Sequence, residues 1–185
     1  MYRFARLPAD EFLNSLGVGA QGERELRELL QEVGYMPPSP GELCDAPFRR
    51  KARLTWVTRF SDGSYPVFYA ALEPETAEAE VTHWFRTFAG TPRGPRTAYY
   101  ERFSCTFDGM VKDLRPKMAE WPALTDEDYA FCNRLGAEAI RASLDGLVTP
   151  SARRRGGTNL PVFKRRAISD PESQGVTQIT YDPER

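Results

Sequence analysis

At 185 residues the chain is long enough for one domain with at most a short appendage. Its 41% hydrophobic and 12% aromatic content excludes a disordered chain, and a net charge of −1 excludes a global field that would draw it to nucleic acid or to a membrane surface. Plentiful turn formers, Gly 14 and Pro 15, point to an α+β or β-rich fold rather than a helical bundle.

Residues 1–45 read as a helical N-terminal extension and 46–185 as the main domain. The opening MYRFARLPADEF lacks the apolar centre of a secretory signal, and no run is long enough to span a bilayer, so a cytoplasmic location is expected. Within the extension, GERELRELLQEVG (22–34) carries Leu26, Leu29, Leu30 and Val33 at helical spacing, with Gly34 as a stop. Its apolar face packs by default on its own domain; packing on a second copy, as a homodimer, is the alternative. The proline-rich MPPSPGEL (36–43) then acts as a boundary.

Beyond it, LTWVTRF (54–60) and PVFYAAL (66–72) read as strands joined across SDGSY, whose Asp-Gly is a hairpin signal. PETAEAEVTHWFRTF (74–88) reads as a helix with Pro74 in its first turn and Ala77, Val81, Trp84, Phe85 and Phe88 as its buried stripe. GTPRGP (90–95) is a loop and residues 99–114 a strand region. Thr125, with Asp128 three residues on, predicts the start of a second helix running to about Ser143. LDGLVTP (144–150) and LPVFKRR (160–166) read as strands around the glycine-bearing loop SARRRGGTN, and VTQITYD (176–182) as a last strand.

The chemistry-bearing residues are unusual. Cys44, Cys105 and Cys132 are far apart and contain no CxxC pair, and the single histidine, His83, cannot complete a standard zinc site, so free buried thiols and no metal are expected. Glycine-rich nucleotide loops, HExxH and GxSxG are absent. What remains is a set of arginines, hydroxyls and carboxylates around residues 58–81 and 145–163.

In that order those segments resemble the RES-domain family. TRFSDGSYPVFYAALEPETAEAEV (58–81) is similar to the family's run of strand arginine, turn, strand tyrosine and helical glutamate. FDGMVKDLRP (107–116) is similar to its strand ending in Asp-Leu, and DGLVTPSARRRGGTNLPVF (145–163) to its apolar strand leading into Pro-Ser, glycines and Asn. Where the family carries Gly-Gly-Arg-Trp-Asn, this chain has Val57-Thr58-Arg59-Phe60-Ser61. The resemblance implies an ADP-ribosyltransferase-like mixed β core with flanking helices. It also implies a pocket for NAD+ as substrate, lined by Arg59, Tyr69, Glu80 and Ser151, with Asn159 beside them. The implied activity is cleavage of the nicotinamide–ribose bond, with inorganic phosphate or water as acceptor, by the toxin of a toxin–antitoxin pair whose partner is an Xre-type helix-turn-helix antitoxin. ADP-ribose transfer to a protein and a non-catalytic interaction role are the alternatives.

The residues also carry readings of their own. Nicotinamide leaves NAD+ as a neutral molecule, so no general acid is required; what is needed is a carboxylate near an oxocarbenium-like ribose, and Glu80 fits that need. From periodicity alone Glu80 reads equally as a solvated carboxylate like Glu75 and Glu78. Arg59 presents a planar fork suited to a diphosphate, or pairs on the surface with Asp62 or Glu101, and Arg53 competes for its role. Tyr69 stacks on nicotinamide, bonds a ribose hydroxyl or is core. Ser151 has no base to activate it and is assigned to positioning or to the turn. The basic triplet Arg153, Arg154 and Arg155 reads as an anion-attracting or simply solvated loop, and Asn159 as fixing that loop by local hydrogen bonds.

Overall fold

The computed structural model describes residues 1–7, 28, 32, 34, 38–49, 57–88 and 96–181. Among them, strands β1 (Tyr2–Arg6), β2 (Phe68–Ala71), β3 (Arg96–Phe107), β4 (Val111–Asp113), β5 (Gly146–Pro150), β6 (Thr158–Val162) and β7 (Ile168–Tyr181) form one seven-stranded sheet. Helices α1 (Pro40–Asp45), α2 (Pro74–Phe88) and α3 (Ala130–Arg141) pack around it, which gives the α+β class expected. The strand order is β4-β5-β6-β2-β1-β3-β7, antiparallel throughout except for the parallel β4–β5 pair. No helix among the described residues is long and apolar enough to cross a membrane.

A seam in this sheet positions the site. β1 pairs with β3 along its whole length, from Tyr2↔Ser104 to Arg6↔Tyr100, yet meets β2 only at Tyr2↔Ala71. Where the β1–β2 ladder lapses, the Arg3 side chain stands in for it: Nη1 donates to the Tyr69 carbonyl at 2.9 Å and the guanidinium lies 4.4 Å from the Phe68 ring centre. Burial lowers this guanidinium's pKa to about 10, because a desolvated cation is disfavoured. Its Nε finds no partner.

Three apolar clusters hold the layers together. Phe68, Phe103, Leu160 and Val162 cover one sheet region with Leu43 and Cys44 of α1. Phe60, Leu114, Leu124, Cys132 and Leu147 form a second beside α3, and Phe85, Ala98, Tyr100 and Ile179 a third beneath α2. The three cysteines are free and buried, as expected.

Several sequence expectations are corrected. The helical extension gives way at its start to β1, whose Ala5 is buried, followed by a fully buried Leu7; the helix expected over 22–34 lies almost wholly outside the described residues. The proline-rich boundary contains α1, closed by a capping box in which Ser39 and Glu42 exchange hydrogen bonds. The strand expected over 54–60 is outside the described residues up to 56, and from Thr58 to Ser61 it is a turn closed by an isolated bridge. Side chains rather than a ladder satisfy that turn, so β2 pairs with β6 and β1 instead.

The second helix begins at Ala130, not Thr125. Pro122–Leu124 is a 3₁₀ turn whose Pro122 carbonyl binds Thr125 Oγ1, and Asp128 Oδ1 accepts from the Ala130 N–H in place of the expected box. The 99–114 region is two strands, β3 and β4. Residues 160–166 stop being strand at Val162 and pass into a 3₁₀ turn, and the last strand starts at Ile168 rather than 176. By contrast α2 has the bounds its sequence pattern predicts, with Ala77 and Phe85 buried.

Candidate active site at the sheet seam

A cleft of about 300 Å³ opens at the seam, walled by β1, β2, α2 and the turn carrying Arg59. Glu80 reaches it from the middle of α2. Its neighbours Glu75 and Glu78 are exposed, whereas Glu80 is half-buried, which separates it from the solvated face of the same helix. Oε1 accepts from Ser151 Oγ at 2.7 Å and from Asn159 Nδ2 at 2.6 Å. Both donors are neutral; among the described residues no cation is hydrogen-bonded to this carboxylate, and Arg153 acts on it through space from the same cleft.

The donors are themselves fixed. Ser151 follows β5, and its hydroxyl accepts from the N–H groups of Arg153 and Arg154 at 3.1 Å each, so its proton is left to point at Glu80. Asn159 lies in β6 between Thr149 of β5 and Ala71 of β2. The intervening loop is closed by Ser151 N–H to Gly157 carbonyl at 2.9 Å. A Cβ on Gly157 would lie 2.5 Å from Thr76 Oγ1, so this loop rests on α2 through a position only glycine fits. Glu73 completes the brace, with Oε2 accepting from Thr76 Oγ1 at 2.6 Å and from the Thr158 N–H at 2.9 Å.

Arg59 comes from the other side. Its Nη1 donates to the carbonyls of Leu124 (3.2 Å) and Asp126 (2.6 Å), and the guanidinium stacks 4.7 Å from the Tyr129 ring centre. Among the described residues these contacts take the place of the alternative reading, a surface pair of Arg59 with Asp62 or Glu101. Asn133 of α3 holds the turn by donating to the carbonyls of Thr58 (2.7 Å) and Arg59 (2.8 Å). Gly136, one turn on, lets the Phe60 carbonyl approach where a Cβ would sit 2.2 Å away. The competing Arg53 lies outside the described residues.

Tyr69 lines the cleft, with its hydroxyl 2.8 Å from Thr58 Oγ1 and accepting from the Phe60 N–H at 2.9 Å. Burial pushes its phenol well above the ordinary value, so the hydroxyl stays protonated and committed to the turn. Its ring is what the cleft receives.

Thus Glu80, Ser151 and Asn159 are brought into direct contact, and Arg59 and Tyr69 line the same cleft. Sequence reasoning overlooked Arg3, Tyr129 and the role of Arg153, which also lines it. His83 does not line it; its imidazole pKa is lowered, first by burial and then by Arg153.

The RES domain family is matched by residues 37–182 of the chain. No curated protein matches it. Among solved structures, the crystal structure of the M. tuberculosis MbcT–MbcA toxin–antitoxin complex is similar in fold. Its TM-score is 0.52 at 16% identity, over 71% of this chain and 79% of that one. The strand β1 that completes the cleft lies before the matched family span.

Proposed function

The chain belongs to the RES domain family, and from that premise and the geometry of its cleft we propose that it cleaves the nicotinamide–ribose bond of NAD+. The observation that carries this reading is Glu80: half-buried, lining the cleft, with Oε1 fixed by the neutral donors Ser151 and Asn159. A carboxylate held by neutral donors keeps its negative field available to a cation that develops at the ribose C1′ as nicotinamide departs. Arg59 offers a fork to the diphosphate, and the Tyr69 ring offers a face to the nicotinamide. Ser151 and Asn159 act as positioning residues through Glu80.

The bond between C1′ and the nicotinamide nitrogen breaks with its electron pair going to nicotinamide. With phosphate as acceptor the products are nicotinamide and ADP-ribose 1″-phosphate; with water they are nicotinamide, ADP-ribose and a proton. Family membership and the fold shared with a toxin–antitoxin structure support a toxin role held in check by an antitoxin, which the resemblance implies is of the Xre helix-turn-helix type. Incubation of the purified, antitoxin-free chain with NAD+, with and without inorganic phosphate, tests the reading by chromatography. Free nicotinamide is expected, and its rate identifies the acceptor by responding to phosphate or not. No nicotinamide under either condition would overturn the proposal.

A further inference from the structure

Arg153 and Arg59 line the cleft from two separate loops, and both are held by the same short segment, residues 124–129. Arg59 takes two main-chain carbonyls and the Tyr129 ring from it. Arg153 takes the Glu127 carboxylate through both ends of its fork, Nη1 to Oε1 and Nη2 to Oε2 at 3.0 Å. The pair is asymmetric: the Arg153 side chain is 12% exposed and that of Glu127 71%. The arginine therefore belongs to the cleft wall, while the carboxylate reaches it from solvent.

A bidentate carboxylate and a phosphate present the same pair of oxygens to a guanidinium. Arg153 is also tied to the candidate carboxylate site, because its own N–H donates to the Ser151 hydroxyl that donates to Glu80. We infer that Arg153 is a second oxyanion-binding arginine of the cleft, and that Glu127 occupies its fork as a built-in competitor which a ligand's phosphate oxygens displace. The inference rests on reading the cleft as an NAD+ site for its choice of phosphate, and it assigns the diphosphate of the dinucleotide to the space between Arg59 and Arg153. Glu127 is mostly solvated, so leaving the fork returns its carboxylate to water, and a doubly charged ligand can take its place. The basic loop is thereby divided by role: Arg153 faces the cleft, Arg154 donates to Thr76 Oγ1 at 3.3 Å, and Arg155 is exposed.

Calorimetric titration of ADP-ribose, and separately of inorganic phosphate, tests this without turnover. Glu127→Gln frees the arginine and is expected to tighten binding about fivefold or more. Glu78→Gln makes the same change of net charge at an exposed site on α2 and is expected to shift it less than twofold. Arg153→Lys keeps the charge but loses the fork and is expected to weaken binding about tenfold. A gain with ADP-ribose places the dinucleotide's diphosphate there, and a gain with phosphate alone places the acceptor there. Equal affinities in Glu127→Gln and Glu78→Gln for both probes would overturn the inference, and Glu127→Gln decides the question even if the Arg153 variant fails to fold. Nicotinamide release with no Glu127 effect would sink this inference and leave the NAD+ reading standing. A Glu127 effect without nicotinamide release would do the reverse.

Discussion

Two sequestered carboxylates in this molecule are satisfied in different ways. Asp145, at the entry to β5, is 5% exposed. It accepts from the Met110 N–H at 2.9 Å and faces Lys164 Nζ at 3.3 Å and Arg166 Nη2 at 3.2 Å. The Met110 bond foremost, with the two cations behind it, holds its pKa below the usual carboxylate range. Glu80 has two neutral donors on Oε1 and lines the cleft. The first carboxylate is neutralised where it sits and fastens β4, β5 and the 164–167 turn together. The second is oriented by neutral donors and has no cation directly bonded to it among the described residues, the arrangement expected of a group whose charge is used on something that arrives.

The comparison is broken most sharply at Glu80 itself. Glu80→Gln keeps the size and hydrogen-bonding capacity of the side chain but removes the charge. A fall of about 100-fold or more in kcat is expected, with a thermal unfolding midpoint close to that of the unaltered chain by calorimetry. A large loss of midpoint would make Glu80 a structural group like Asp145. Gly157→Ala is next in size. The added Cβ meets Thr76 Oγ1 at 2.5 Å, so the loop carrying Ser151 must move. A stability loss of about 1–3 kcal/mol with a roughly tenfold activity loss is expected from denaturant titration and kinetics together.

Asp145→Ala is expected to show the converse pattern. Leaving the Met110 N–H without its acceptor costs about 1–3 kcal/mol, while activity per folded molecule stays within about twofold. The smallest effect is in pH dependence. Because the Asp145 pKa is lowered in the folded chain, its stabilisation is fully present above the unfolded value near 3.8 and is lost as pH falls through the folded value. The acid side of the stability–pH curve, measured below about pH 4, is therefore expected to be flatter in Asp145→Ala. An unchanged slope would show that Asp145 contributes no proton linkage.

The contrast also explains which parts of the molecule could be read from its sequence. Helix α2 declared itself through local signals, Pro74 at its start and apolar residues at helical spacing, and Glu80 could be placed at the rim of its buried stripe. What meets Glu80 could not be read, since Ser151 and Asn159 are 71 and 79 residues away along the chain, and only family resemblance linked them. The Thr58–Ser61 turn looked like a strand because it continues the apolar and aromatic run Leu54–Val57; its actual partners, Tyr69 and Asn133, bind it through side chains that no period encodes. β1 was hidden for the opposite reason. A five-residue alternating stretch is short, and its long-range pairing with β3, about a hundred residues on, decides its state. Arg153 looked like one charge among three, and only the fold shows which of them faces the cleft.

The central claim is that the charge of Glu80 acts on NAD+ while that of Asp145 acts on the fold. Nicotinamide release from NAD+, followed in parallel for the unaltered chain, Glu80→Gln and Asp145→Ala at equal concentrations of folded protein, tests it most directly. Comparable release by the unaltered chain and Asp145→Ala is expected, with release reduced about 100-fold or more in Glu80→Gln. Equal release by Glu80→Gln and the unaltered chain, or none by the unaltered chain, would contradict it.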